Sequence, residues 1–198
     1  MDIVAILRGV TPDTVIEVAE CLLQSGIKTI EVPLNSPNAL ESIRLLQTAF
    51  DGRAVIGAGT VLSVAQVEAV AQAGAQLVLS PNMDTAVIQR TCALGLKSIP
   101  GVATATEAFS ALQAGAHALK LFPADVLGAA TLKAWLSVMP VGTQIYAVGG
   151  IEASNTAVFK AAGAAGVGVG GWLYKPGYSL DQIRQSALAL VKAPVATR

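Results

Sequence analysis

The sequence has few charged or aromatic residues and very little histidine or cysteine. Of its 198 residues, 13% are charged and 5% are aromatic, and it has two cysteines and one histidine. Thirteen basic residues balance thirteen acidic ones, so the formal net charge at pH 7 is zero. Because there is no basic excess, we expect neither nucleic acid nor a membrane surface as a partner. A net charge near zero favours self-association instead.

Long hydrophobic runs are also missing, although 53% of the residues are hydrophobic. Glycine, proline or a charged residue interrupts each apolar stretch before the roughly 18 residues needed to cross a bilayer. The first ten residues, MDIVAILRGV, lack the basic region and cleavage site of a secretory signal. Cys21 and Cys92 lie far apart and outside any CxxC motif, and are expected to be reduced core residues. These features predict a cytoplasmic protein.

Eight short apolar runs follow one another along the chain, with amphipathic stretches between them. Many of these stretches begin at serine, threonine or aspartate and end at glycine; the first has Thr11 as its cap and Pro12 at its first helical position. The runs are IVAIL, KTIEVPL, AVIGA, QLVLS, KSIPG, HALKLF, QIYAVGG and AGVGVG. Eight such units predict an α/β fold, a compact (β/α)8 TIM barrel formed by residues 1–198 as one domain, with a flexible tail at about 193–198. An open doubly wound sheet is the alternative.

The stretch GAHALKLFPA places one lysine, Lys120, among apolar residues. Burial disfavours a charged amine, so a buried lysine lowers its pKa and becomes a nucleophile near pH 7. Side chains alternate along a strand, which points Lys120 into the barrel if Leu119 and Leu121 face the helices. His117 falls on the helix-facing side near the start of this strand, and we expect it to be structural.

Glu31, in KTIEVPLNSP, is expected inside the barrel by the same alternation. A buried ion pair with Lys120 is the structural alternative, but such pairs rarely add net stability over apolar residues of similar size. A neutral amine beside a carboxylate poised for proton transfer is the favoured interpretation. Arg8, after the first strand, suits a carboxylate or a phosphate, with a plain surface cation as the alternative.

The last two predicted strands end in the glycine pairs Gly149–Gly150 and Gly170–Gly171. Glycine lets backbone N–H groups approach an anion, and many barrels bind phosphate after strands seven and eight. The sequence has no His or Cys cluster and no paired acidic ligands, so no metal is expected. The interior lysine, the interior glutamate and the phosphate site predict a cofactor-free Schiff-base aldolase acting on a phosphorylated keto compound.

Seven motifs resemble, in order, those of the class I 2-keto-3-deoxy-6-phosphosugar-acid aldolases. The motifs are AILRG, EVPLNSP, GAGTVL, SPN, PGVATATEA, ALKLFPA and AVGGI, between about Ile3 and Tyr174. Asn35 stands where the gluconate branch typically has arginine, and Val148 where it typically has threonine, which favours the galactonate branch.

The resemblance implies cleavage of 2-dehydro-3-deoxy-6-phospho-D-galactonate to pyruvate and D-glyceraldehyde 3-phosphate by a homotrimer. It implies that Lys120 forms the Schiff base and that Glu31 shuttles protons. Relatives often have serine at Gly171, where this chain leaves only backbone amides for the phosphate. The other implied substrate-binding residues are Arg8 and Thr60, and Val148 is the position associated with stereochemical preference at C4.

Pro81 and Phe122 are expected to form the apolar walls of the substrate site. Three alternatives remain open at this point. The gluconate epimer is the main competing substrate. A phosphate-binding barrel isomerase or synthase would use Lys120 and Glu31 as an ion pair, and a non-catalytic metabolite-binding protein would turn nothing over.

Overall fold

Parallel strands and helices alternate along residues 1–193, which are the residues that the computed structural model describes. The strands are β1 (Asp2–Ile6), β2 (Thr29–Pro33), β3 (Val55–Gly59), β4 (Leu77–Leu79), β5 (Lys97–Ile99), β6 (Gly101–Val102), β7 (Leu119–Leu121), β8 (Ile145–Val148) and β9 (Gly166–Val169). The helices are α1 (Pro12–Gln24), α2 (Ala39–Phe50), α3 (Val64–Gln72), α4 (Thr85–Ala93), α5 (Ala105–Gln113), α6 (Ala124–Leu136), α7 (Thr156–Ala162) and α8 (Leu180–Lys192). Of the flexible tail predicted at about 193–198, residues 194–198 lie outside the described residues.

The strands form one parallel sheet in the order β5-β4-β3-β2-β1-β9-β8-β7-β6. Its two end members, β5 and β6, are parts of one strand interrupted at Pro100, which has no N–H to give to a ladder. β5 pairs with β4 and β6 pairs with β7, so this interrupted strand closes the barrel. The predicted TIM-barrel fold is confirmed, and the run KSIPG proves to be two short segments rather than one strand.

Local signals in the sequence set where the helices start. Pro12 is the first residue of α1, directly after Thr11. The side chains of Ser63, Asp84 and Thr104 accept N–H groups of the first turns of α3, α4 and α5. These bonds satisfy amides that a helix start leaves without a partner, so the predicted starts of these three helices are confirmed. Thr11 occupies the N-cap position of α1 as predicted, but its side chain makes no capping hydrogen bond.

The main core lies between the barrel and the helices. Ile30, Val32, Leu119 and Leu121 face the helices and are fully buried. Burying one such side chain contributes roughly 1.5–3 kcal/mol. The residues between them therefore point into the barrel, as the alternation predicted.

A polar cluster lies inside the barrel near the start of the strands. The Tyr146 hydroxyl donates to Asp2 over 3.2 Å, and the Thr29 hydroxyl donates to the same carboxylate over 3.4 Å. Burial, reinforced by the Asp2 charge, raises the pKa of Tyr146 to about 12. These two hydrogen bonds join β1 to β2 and to β8 near the amino-terminal ends of the strands.

The remaining expectations about single residues are met in part. His117 is exposed, and its Nδ1 accepts the Ser98 N–H over 3.2 Å, a structural contact. Both cysteines are free; Cys21 is buried, whereas Cys92 is only half-buried and so lies outside the core proper. Among the helices of residues 1–193, none is long and apolar enough to span a membrane.

Candidate active site

A cavity of about 380 Å³ opens at the carboxyl ends of the strands. This volume lies in the range of small-molecule sites, and this end of a TIM barrel carries the active site. The eleven residues predicted as site residues from the sequence all line this cavity. They are Arg8, Glu31, Thr60, Pro81, Lys120, Phe122, Val148, Gly149, Gly150, Gly170 and Gly171.

Lys120 lies on β7 and is only 7% exposed. Burial lowers its pKa; the nearby Glu31 carboxyl raises it in part, and the Arg8 charge lowers it further. Its Nζ lies 4.6 Å from the centroid of the Phe122 ring, a contact that favours the ammonium form modestly. Desolvation outweighs these smaller effects, so the amine is neutral more often than that of an exposed lysine.

Glu31 lies on β2 and is 2% exposed. Burial raises its pKa to about 7, against smaller lowering effects of Lys120 and Arg8. Its Oε2 atom is buried and accepts no hydrogen bond from the described residues. A carboxyl group that titrates near neutral pH is suited both to accept and to return a proton.

Gly59 makes room for the Glu31 carboxyl group. It is the last residue of β3, and a Cβ atom placed there would overlap both carboxylate oxygens of Glu31. Any residue other than glycine would therefore displace the carboxyl group from the cavity wall. The neighbouring Thr60, which lines the cavity, adopts a left-handed backbone conformation with φ of 56°. Such a conformation is uncommon outside glycine and concentrates at functional sites.

Lys120 and Glu31 line the same cavity without forming an ion pair. The ion pairs found in residues 1–193 join exposed or half-exposed side chains elsewhere and involve neither residue. The buried ion pair considered from the sequence is therefore not formed. Both groups line the cavity and are therefore open to a molecule bound in it.

Arg8 follows β1 and reaches the cavity mouth. Its side chain is exposed to solvent, yet it lines the cavity, so it is more than the surface cation considered above. Its Nη1 donates a hydrogen bond of 2.6 Å to Oδ1 of Asn35, which follows β2. A guanidinium held at the mouth of a cavity is suited to bind a carboxylate or a phosphate.

The glycine pairs after β8 and β9 line another part of the cavity. Gly149 and Gly150 have φ angles of 100° and 63°, in the left-handed region that favours glycine. A Cβ atom on Gly150 would also overlap the Asp125 side chain. In the part of the chain that the structure describes, none of the four glycine amides donates a hydrogen bond. The four N–H groups are therefore available to an anion in the cavity.

Five further cavity residues were not predicted from the sequence. They are Ile6, Ile151, Glu152, Gly168 and Trp172. Ile6 and Gly168 occupy inward positions that strand alternation could have identified. Glu152 and Trp172 follow the glycine pairs by one or two residues, and a single sequence offers no signal for which way such loop side chains turn.

Comparisons with known proteins agree with this geometry. The profile of the family described as KDPG and KHG aldolase matches residues 1–189. The 2-dehydro-3-deoxy-6-phosphogalactonate aldolase of Escherichia coli (strain K12) is 44% identical over 193 residues, 98% of this chain and 94% of that protein. A probable enzyme of the same name from Rhizobium meliloti (strain 1021) is 44% identical over 96% of this chain and 90% of its own.

The fold of the chain also matches that of a solved structure. A solved structure described as "Native KDPGal structure" superimposes with a TM-score of 0.96 at 44% identity, covering 98% of this chain and 94% of the other. Together with the profile match over nearly the whole chain, this shows that the chain belongs to the KDPG and KHG aldolase family.

Proposed function

We propose that this protein is a class I aldolase that cleaves 2-dehydro-3-deoxy-6-phospho-D-galactonate to pyruvate and D-glyceraldehyde 3-phosphate. The observation that carries the proposal is the cavity in which a buried lysine and a buried glutamate face the same space without pairing. Two relatives at 44% identity bear the name of this activity, which supports the choice of substrate.

The reaction begins with the Lys120 amine. Neutral Nζ attacks the C2 ketone of the substrate to give a carbinolamine. The carbinolamine takes up one proton from solvent at its hydroxyl group and loses water, which leaves a protonated imine. This cation accepts the electron pair of the C3–C4 bond as the C4 hydroxyl proton passes to Glu31, directly or through one water. The aldehyde leaves and an enamine remains on Lys120. Protonation at C3 and hydrolysis then release pyruvate and the free amine.

The remaining cavity residues hold the substrate. In this proposal Arg8 and Thr60 bind its polar groups, and Pro81 and Phe122 form apolar walls. Val148 is 4% exposed and contacts the sugar carbons, without a hydroxyl to offer them. The phosphate lies against the free amides of Gly149, Gly150, Gly170 and Gly171.

We further infer a homotrimer in the cytoplasm. Valine side chains on and next to α6 and α7 are widely exposed: Val126 by 77%, Val138 by 65% and Val158 by 59%. Apolar side chains of this size, on a chain without net charge, favour association between copies. The two free cysteines suit a reducing compartment.

The substrate assignment predicts a preference between the two C4 epimers. We expect kcat/KM for the galactonate epimer to exceed that for the gluconate epimer by about tenfold or more. The release of pyruvate from each epimer would be measured with a coupled assay. Val148→Thr keeps nearly the same shape and replaces one methyl group with a hydroxyl group. We expect this variant to show a smaller ratio of kcat/KM for the galactonate epimer to kcat/KM for the gluconate epimer. Equal kcat/KM values for the two epimers in the unaltered enzyme would contradict the assignment.

The raised pKa of Glu31 predicts how the rate of cleavage depends on pH. The carboxylate must be ionised to accept the C4 hydroxyl proton, and its pKa is about 7. We therefore expect kcat/KM to fall at least about tenfold for each pH unit below about 7, because protonation of the Lys120 amine adds to the loss. Glu31→Gln removes a buried carboxyl group whose ionisation destabilises the fold, so its thermal unfolding temperature should equal or exceed that of the wild type, whereas kcat should fall by about 10²–10⁴. A folded Glu31→Gln enzyme with nearly normal turnover would rule this role out.

The open space beside Gly171 allows a test of the proposed phosphate site by adding a small side chain there. A Cβ atom at this position would meet only Lys175 Cε, at 3.6 Å, so a small side chain fits. Gly171→Ser adds a hydroxyl donor, and we expect inorganic phosphate to inhibit this variant competitively with an inhibition constant about fivefold lower. Gly171→Ala is the matched control and should show no such gain. If serine and alanine behave alike, the phosphate does not lie at Gly171.

A further inference from the structure

Two loops at the carboxyl end of the barrel are joined by two consecutive hydrogen bonds. One loop follows β1 and the other follows β2. Arg8 Nη1 donates to Asn35 Oδ1 over 2.6 Å, and the next residue, Gly9, donates its N–H to Ser36 Oγ over 2.9 Å. Ser36 is buried, so the second bond holds the backbone of the Arg8 loop independently of the first.

Only one of the two side chains in the first hydrogen bond lines the cavity. Arg8 lines it, whereas Asn35 does not. A guanidinium has donors and no acceptor, so the Asn35 amide group must present its oxygen to Arg8. In the described chain this is the one hydrogen bond of the Arg8 side chain, and no ion pair holds it. The Asn35 oxygen is therefore the polar group that restrains a long side chain with many rotamers.

We propose that Asn35 is a positioning residue, which fixes the Arg8 guanidinium over the cavity so that an anionic group of the substrate meets it already oriented. The inference rests on the proposed function, since that function supplies a substrate with a carboxylate and a phosphate. Asn35 acts only through Arg8, and restraining the guanidinium before binding reduces the entropy lost when the substrate arrives.

The position of Arg8 also affects the two reacting groups. Its charge lowers the pKa of both Lys120 and Glu31. Coulomb interactions weaken with distance and with exposure to water. A guanidinium released from Asn35 into solvent would therefore lower the pKa of Lys120 less. The Lys120 amine of the free enzyme would then be neutral less often, a loss that appears in kcat/KM rather than in kcat.

The test compares two substitutions of Asn35. Asn35→Leu has a similar branched shape and no acceptor, and we expect KM for the galactonate substrate to rise about fivefold to tenfold with kcat within about twofold. Asn35→Gln keeps a neutral acceptor and should recover most of this loss. Because Asn35 is exposed, thermal unfolding of both variants should match that of the unaltered protein.

A double-mutant cycle separates positioning from a direct role. Asn35→Leu should change KM by less than about twofold in an Arg8→Ala background, since the group that it positions is then gone. An undiminished effect in that background would overturn the inference, as would an unchanged KM in the single Asn35→Leu variant. Either result leaves the proposed function intact if the unaltered enzyme releases pyruvate. Failure of the unaltered enzyme to do so overturns the proposed function, and the inference falls with it.

Discussion

Removal of two ionisable side chains from water is the physical constraint on which the rest of the site depends. Lys120 and Glu31 are 7% and 2% exposed, and neither neutralises the other in an ion pair. Burial penalises the charged form of each group, so the pKa of the amine falls and that of the carboxyl rises to about 7. The same burial thereby brings the pKa values of the amine and of the carboxyl group closer together.

The outward faces of the same strands hold these two side chains in place. The helix-facing residues of the same strands, such as Leu119 and Ile30, are fully buried in the core and hold the strands in place. Gly59 leaves the space that the Glu31 carboxyl group occupies. The hydrogen bond between Tyr146 and Asp2 lies near the start of the strands, at the end of the barrel opposite the cavity.

Much of this arrangement could be predicted from the sequence because it follows from short-range rules. Alternation along a strand is enough to place Lys120 and Glu31 on the inner face once their neighbours are assigned to the helices. Glycine pairs at strand ends mark where backbone amides approach a ligand. The family resemblance identified Thr60, whose cavity position no periodicity would have revealed.

Other features depend on contacts between distant segments, which a single sequence does not specify. The hydrogen bond between Arg8 and Asn35 spans 27 residues and requires the two loops to meet. The interruption at Pro100 becomes visible only when both neighbouring strands are in place. Glu152 and Trp172 turn toward the cavity because of the loop conformations around them, and these conformations are set by packing rather than by local sequence.

The central claim is that Lys120 forms the covalent intermediate, and trapping that intermediate tests it most directly. The protein would be incubated with pyruvate, reduced with borohydride and digested, and the modified peptide identified by mass spectrometry. We predict a single reduced adduct on Lys120, absent without pyruvate and absent in Lys120→Ala. No adduct, or an adduct distributed over exposed lysines, would contradict the Schiff-base mechanism and leave Lys120 as a buried structural residue.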